Sequence, residues 1–384
     1  MNTQTILIGV DEITIVLLPL ERLDCLLWVD TISEMIEIFI DKSRIEELFG
    51  KMDYAQSGLQ QGYTHGLTFS DRPWHFGIYW HEDFSSMGIC IKFSAYAYAA
   101  YMTEYSKRFG TQLNVASFLR MIQSADYSVK LSRVDLTADY INYDNSINPD
   151  TIYEELKAGT CIILDHKNRS LIRSKSAIDK DGKYSTIYLG SRKSKTNCFM
   201  RIYNKRLEQI QTMGFRYDEA LQYDSWIRFE AVFRHDYARA IGADLIENVL
   251  TPTDLQQFIA QKITEKFRFF DFDIEKKAYK MKDYTQDLLD IASTYKFDVL
   301  RSEAPTDNDL RQTIIYLQKS SGLYSTLFKV NEVWGDGTDS ALMDYLFTEY
   351  AASFKPTAAQ NKEINYWLNR HRLELKQHKF ENYL

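Results

Sequence analysis

The sequence predicts an α+β protein: an antiparallel β-sheet core flanked by helices, followed by a mostly helical C-terminal part. Three observations predict it. Apolar and polar residues alternate near residues 135, 203 and 230, the period of a strand with two unlike faces. From about His235 the spacing of apolar residues turns helical and stays so to the end. Aromatics are frequent, 26 Tyr and 22 Phe, which suits sheet packing and equally suits stacking on nucleobases.

Taken in order, Ile6 to Leu18 reads as a strand with Asp11 set into it, stopped by Pro19. Thr31 to Lys51 carries Ile32, Met35, Ile36, Phe39 and Ile40 at helical spacing. Gly62 to Phe69, Phe76 to His81 and Met87 to Phe93 read as short strands joined by turn-prone links such as Asp71-Arg72-Pro73. Ala95 to Phe109 and Asn114 to Ser124 are predicted helices. Tyr127 to Tyr143 is a long strand, with Val134, Leu136, Ala138 and Tyr140 on one face. Arg133, Asp135, Thr137 and Asp139 occupy the other.

Asn148-Pro149-Asp150 opens a helix over Thr151 to Lys157, with proline near its favoured N-terminal place. Asp179 to Gly182 reads as a hairpin turn into a strand over Ser185 to Ser191, and Gly190 to Ser194 as a second turn. The next strand places Arg201 and Tyr203 on one face and runs straight into a basic helix at Lys205 and Arg206. Trp226 to Arg234 alternates again, with Arg228, Glu230, Val232 and Arg234 opposite Ile227, Phe229, Ala231 and Phe233. Helix starts follow at Thr251-Pro252-Thr253-Asp254 and Ala304-Pro305-Thr306-Asp307. The polar break Ser302 to Asp309 around Pro305 is the clearest boundary, dividing residues 1–300 from a helical region over 301–384.

A chain of 384 residues, 45% hydrophobic and 26% charged, is that of a folded globular protein. Cys25, Cys90, Cys161 and Cys198 lie far apart with no C-x-x-C pair, which argues against structural zinc and for a reducing compartment. No stretch reaches the ~20 apolar residues of a membrane span. The first residues, MNTQTILIGVDEIT, carry no basic leader and read as a first strand, so the expected location is cytoplasmic, away from any membrane. The net charge of −7 argues against indiscriminate binding to nucleic acid. Yet Asp165 to Arg216 holds thirteen Lys and Arg against four Asp and Glu. A cationic zone on an anionic body suits one docking site for a polyanion, and a solvated basic loop is the plainer alternative.

The chemistry converges on the three alternating strands. A phenol among fixed cations at a strand end is what a tyrosine attacking a phosphodiester requires, and Tyr203 with Arg201 and Lys205 has that form. Tyrosine is a poor nucleophile at its free pKa of ~10, so these cations and a metal would favour the phenolate. Asp135 and Asp139 share a face but stand four positions, ~13 Å, apart on one strand. Either one could pair with Glu230 or Asp11 on a neighbouring strand. Two or three converging carboxylates would take Mg²⁺ or Mn²⁺, which prefer hard oxygen donors. The alternative is a sheet face of ordinary Arg–Asp and Arg–Glu pairs. Tyr188, on the preceding strand, is a rival nucleophile. His75 and His81 form no H-x-H or H-E-x-x-H pattern, and Gly190 to Ser194 is no phosphate-binding Walker loop.

SRVDLTADY (132–140), TIYLGSRKSKTNCFMRIYNKRLE (186–208) and WIRFEAVFR (226–234), in that order, resemble the trans-acting rolling-circle replication initiators, the Rep_trans family. That family also includes relaxases of some conjugative elements. The resemblance runs over roughly residues 6 to 350 and includes SSGLYSTLFKVNEVWGDG (320–337). It implies that residues 1–300 form a metal-dependent DNA nicking and joining region that binds the origin. Tyr203 is then the nicking tyrosine of R-I-Y-x-K, staying linked to a 5′ phosphate while a 3′ hydroxyl is released as primer. Asp135, Asp139 and Glu230 are the acids of R-x-D-x-x-x-D and R-x-E, holding Mg²⁺ or Mn²⁺. Homodimerisation and handover to a host helicase are implied in the same way.

An initiator that reads a hairpin origin in plasmid DNA needs phosphate contacts and some base readout. Arg192, Lys193, Lys195 and Arg206 around Tyr203 would hold the nicked strand. Lys276, Lys277 and Lys280, with Lys282 and interleaved Tyr279 and Tyr284, offer a second surface, with a solvated helix as the alternative. Two other functions stay open: a relaxase of a conjugative or integrative element using the same chemistry, and a non-catalytic DNA-binding protein on the same fold.

Overall fold

The computed structural model describes residues 3–376 apart from 22–24, 144–146, 171, 173, 181–182, 194–195, 293–309 and 320. Its strands are β1 (Thr5–Pro19), β2 (Asp53–Tyr54), β3 (His65–Thr68), β4 (Phe76–Trp80), β5 (Ile89–Phe93) and β6 (Tyr127–Ile141). They continue with β7 (Cys161–Leu164), β8 (Lys175–Lys180), β9 (Lys183–Leu189), β10 (Cys198–Asn204), β11 (Trp226–Arg234), β12 (Arg268–Asp273) and β13 (Ala278–Met281). Ten of them form one sheet in the order β2-β3-β4-β5-β1-β6-β11-β10-β9-β8, every pairing antiparallel. The predicted antiparallel core is present.

Two long central strands, β1 and β6, set the frame. One face of the sheet is apolar because Ile13, Ile15 and Leu17 stand opposite Val134, Leu131 and Val129, and Val10, Ile8 and Ile6 opposite Leu136, Ala138 and Tyr140 of β6. Helices close over that face: α1 (Cys25–Ser43), α2 (Ile45–Phe49), α3 (Ala95–Phe109), α4 (Val115–Met121), α5 (Pro149–Ala158), α6 (Lys205–Thr212), α7 (Tyr217–Gln222), α8 (His235–Glu247), α9 (Pro252–Lys266) and α10 (Asp283–Ala292) are the helices of this part, most of them packed there. Their ends follow local chemistry. Ser94 accepts from the Ala97 amide to cap α3, and left-handed Gly110 ends it. Thr251 and Asp254 cap each other at the start of α9, with Pro252 in the first turn.

The helical reading from His235 onward needs one correction. After α9 the chain forms the hairpin β12–β13, which joins β7 in a separate three-stranded sheet. Phe269 and Phe270 are buried in β12 while Asp271, Asp273 and Lys280 face outward, a short pattern too polar to register as strands. Lys276, Lys277 and Lys280 therefore sit on an exposed hairpin and not on a helix face. Lys277 takes a left-handed turn conformation, Lys282 pairs with Glu155 at 2.8 Å and Asp271 at 2.7 Å, and Tyr284 is core.

The chain forms two compact units, Met1–Ser302 and Glu303–Leu384. The described part of the second is helical: α11 (Leu310–Lys319), α12 (Leu323–Trp334), α13 (Thr338–Ser353) and α14 (Ala358–Leu375). The predicted helix start at Ala304 to Asp307, like the hairpin tip Asp181-Gly182, lies outside the described residues. Among the described residues no helix is long and apolar enough to cross a membrane.

Candidate active site

Register brings the charged face together. In β11–β10, Glu230 lies opposite Arg201 and Arg228 opposite Tyr203. In β11–β6, Val232, Glu230 and Arg228 lie opposite Asp135, Thr137 and Asp139. The reactive residues of three strands thus share one face of three adjacent strands. The fourth contributor is β1. Its pairing with β6 slips between Val10 and Ile13, so Asp11 and Glu12 together stand opposite Asp135. This bulge turns both acids toward the site.

Tyr203 donates a hydrogen bond to Glu230 Oε2 at 3.0 Å. Arg201 donates to the other oxygen, Oε1, from Nε at 2.6 Å and also from Nη2. The same Nη2 lies 3.4 Å from Asp135 Oδ2, and Arg133 grips Asp135 bidentately at 2.9 and 2.6 Å. Arg133 also reaches Glu12. Asp135 and Glu230 are fully buried, and Tyr203 is half-buried at the edge of a cleft.

A second charged cluster sits beside the first. Arg228 donates to both oxygens of Asp139, 2.7 Å each, and to Asp11. Arg216 approaches Asp139 at 3.5 Å and pairs with Glu219 at 2.6 Å. The three acids of the expected metal set are therefore divided. Asp135 and Glu230 meet on Arg201, whereas Asp139 belongs with Asp11 on Arg228.

The electrostatics follow from burial and from like charges. Burial, and then the neighbouring Asp135 carboxylate, push Glu230 up to about 8. Asp135 is raised as well, by burial working against Arg133. For Asp11 burial acts upward, but Arg228 and Lys205 outweigh it and its carboxyl is held below the usual range. Burial and the Glu230 charge drive the Tyr203 phenol well above its ordinary value, Arg228 and Arg201 only partly offsetting them. Arg201 acts in the expected direction, toward the phenolate, but is outweighed by burial and Glu230. Arg201 is engaged by Glu230. Lys205 pairs with Glu208 at 2.9 Å, its ammonium 5.6 Å from the Tyr203 ring centre.

The cation expectations fare unevenly by place. Arg206 donates to the Tyr223 carbonyl at 2.7 Å and ties α6 to the chain before β11. Arg192 is exposed, stacked 4.3 Å over Tyr188, and Lys193 is exposed beside it. Lys195 lies outside the described residues. Lys276, Lys277 and Lys280 line neither of the two large clefts on the charged face.

Those clefts, each about 750 Å³, flank the site. One is lined by Asp11, Glu12, Tyr188, Arg201, Tyr203 and Lys205, the other by Asp11, Asp139, Arg216 and Arg228. Sequence reasoning did not single out Glu12, Arg133 or Arg228 as site residues. The adjacent acids Asp11-Glu12 interrupting an apolar strand were the available signal, since two acids in a row cannot both face outward without a bulge.

Asp135 and Glu230 offer only carboxylate oxygens, the donors a hard divalent cation prefers, and those oxygens are engaged by Arg133, Arg201 and Tyr203. Among the described residues no three His, Cys, Asp or Glu side chains gather closely enough to hold an ion by themselves.

A family model for replication initiation factors, Rep_trans, matches residues 129–346. Among solved structures, the rolling circle replication initiator protein from Geobacillus stearothermophilus is similar at 16% identity with a TM-score of 0.51. The match covers 75% of this chain and 97% of that one, and is a likeness of fold. A comparison with curated proteins finds no match. The family match takes in β6, β10 and β11, the three strands that carry Asp135, Tyr203 and Glu230, and spans more than half of the sequence. The chain belongs to the Rep_trans family of replication initiation factors.

Proposed function

We propose that this chain initiates rolling-circle replication by nicking one strand of a plasmid origin through Tyr203. The observation that carries the reading is the 3.0 Å hydrogen bond from the phenol to Glu230, inside a cleft on a sheet face shared with Arg201 and Asp135. Glu230 accepts the phenolic proton, and its raised pKa makes it a better base for a phenol than an ordinary carboxylate. The Tyr203 oxygen forms a bond to phosphorus as the bond to the 3′ oxygen breaks. The 5′ phosphate stays on the tyrosine and the 3′ oxygen leaves as a hydroxyl, its proton coming from water. Joining is the reverse, with Glu230 returning the proton.

Arg201 orients Glu230 and stands within the same cleft, where its guanidinium favours a phosphoryl oxygen. Asp135 and Glu230 would hold Mg²⁺ or Mn²⁺, which supplies charge stabilisation at the phosphoryl and leaving oxygens. Asp139, fixed on Arg228, keeps the neighbouring strands in register. Arg192 and Lys193 meet the strand as it enters. Action as a homodimer that hands the nicked strand to a host helicase completes this reading.

The same chemistry serves a relaxase of a conjugative or integrative element, and the neighbouring genes or a cognate double-strand origin decide between them. A supercoiled-plasmid assay with Mg²⁺ or Mn²⁺ tests the chemistry itself. Relaxation by wild type and none by Tyr203→Phe supports it. Equal relaxation by both, or none by either on DNA that binds, refutes it and leaves a DNA-binding protein without a nicking step.

A further inference from the structure

Two aromatic rings divide the charged groove. Tyr96, in the first turn of α3, and Phe215, in the turn between α6 and α7, stack face to face at 4.5 Å between centres with 7° between planes. Both rings line both clefts, along with Asp11, Trp74 and Ala95. A strand that places a phosphate at Tyr203 in one cleft and continues into the other has to cross this pair.

Phe215 is placed by the helix that starts beside the tyrosine. Asn204, next to Tyr203, caps α6 by accepting from the Leu207 amide at 2.8 Å. At the far end Met213 is left-handed and Gly214 lies so close to Gln209 that an added Cβ would fall 2.4 Å from its Oε1. The buried Gln209 then accepts from the Arg216 amide at 2.8 Å. A side chain at 214 would meet only the end of the Gln209 side chain, which holds the Arg216 amide beside Phe215. Phe215 remains 37% exposed, within reach of a ligand in either cleft.

We propose that the Tyr96–Phe215 pair is a base-stacking site for single-stranded DNA, seating a nucleobase next to the scissile phosphate. Stacking is tolerant of sequence because every base has a π face. The lining is mixed in charge. Arg72, its side chain 37% exposed, stands at the rim of one cleft with Glu104 and Asp139, and Arg201 and Lys205 line the other with Glu12 and Glu208. The rings, more than net charge, therefore offer a base its contact. The pair fixes where along the strand the tyrosine strikes, so it acts in positioning and touches no reacting atom. This inference rests on the nicking reading above.

The test uses the full chain and a single-stranded oligothymidylate of about 16 nucleotides carrying one 2-aminopurine, whose fluorescence is quenched on stacking. Wild type is expected to bind it and quench the probe. Phe215→Ala and Tyr96→Ala are expected to weaken binding by roughly tenfold or more and to relieve the quench. Phe215→Trp restores both. Thermal melts confirm that each variant is folded, and a pair that only packed the turn would change the melt without changing the fluorescence. Unchanged affinity and quench in folded Phe215→Ala and Tyr96→Ala, with nicking by wild type intact, overturn the stacking site alone. A wild-type chain that neither binds nor cleaves single strands overturns the nicking reading and the stacking site with it.

Discussion

The Tyr203 hydroxyl and the Glu230 carboxylate are hydrogen-bonded at 3.0 Å across adjacent strands, and Arg201 holds the opposite oxygen of the same carboxylate. In the proposed reaction the acid that takes the nucleophile's proton is thus itself fixed by a cation. Each consequence below can be measured.

Glu230 sets a pH dependence with a definite sign. Its carboxyl binds a proton more tightly folded, at about 8, than at the ordinary value of 4.5. The stability it contributes is full below the ordinary value and is lost as pH rises through the interval up to about 8. In metal-free buffer the melting temperature is expected to fall across that interval, and Glu230→Gln to flatten the fall. Nicking runs the other way, rising as the base loses its proton, with bound metal moving the rise to lower pH because it competes with that proton.

Metal and proton compete for Asp135 and Glu230. Mn²⁺ or Mg²⁺ should raise the melting temperature more at about pH 8 than well below it, and the rise should vanish in Asp135→Asn. Asp139→Asn should keep the metal-induced rise while lowering the baseline melting temperature, because it removes half of a buried bidentate pair with Arg228. An equal loss of metal response in Asp139→Asn would return that residue to the ligand set.

Arg201 separates two buried carboxylates. Arg201→Ala should cost about 3 kcal/mol or more in a denaturant titration, since it leaves both acids without that partner. Adding Glu230→Gln should recover part of the loss, a coupling that a double-mutant cycle reads directly. Additive losses would mean that the pair is not coupled through the guanidinium.

Lys193 and the β12–β13 hairpin make different claims on DNA. Lys193→Ala should reduce the salt slope of single-strand binding by about one unit without changing base preference. Lys277→Ala and Lys280→Ala, away from both clefts, should leave nicking of a short single strand unchanged and alter only duplex-origin binding. Loss of single-strand nicking in the hairpin variants would contradict the assigned division.

Much of this site was legible in the sequence because strand alternation is local. The pattern of Trp226–Arg234 gives the element and its two faces outright, and the faces of β6 and β10 follow in the same way. What pairs across strands was not legible. Spacing sets Asp139 ~13 Å from Asp135 and leaves either free to join Glu230 or Asp11. Register decides it, setting Asp139 opposite Arg228, which takes both its oxygens and also holds Asp11. Tyr203 reads as surrounded by cations, but burial and Glu230 control it, and burial is a tertiary property. The β12–β13 hairpin was missed because only Phe269 and Phe270 are buried among charged neighbours. Phe215 gave no signal, since the ring it stacks on, Tyr96, comes from a distant part of the chain.

The most direct measurement is the site of covalent attachment. Wild type is incubated with origin plasmid and Mn²⁺, the adduct is digested, and the nucleotide-bearing peptide is sequenced by mass spectrometry. The account predicts a 5′ phosphate on Tyr203, absent from Tyr203→Phe and retained in Tyr188→Phe. Attachment at Tyr188, or an adduct that persists in Tyr203→Phe, would contradict it.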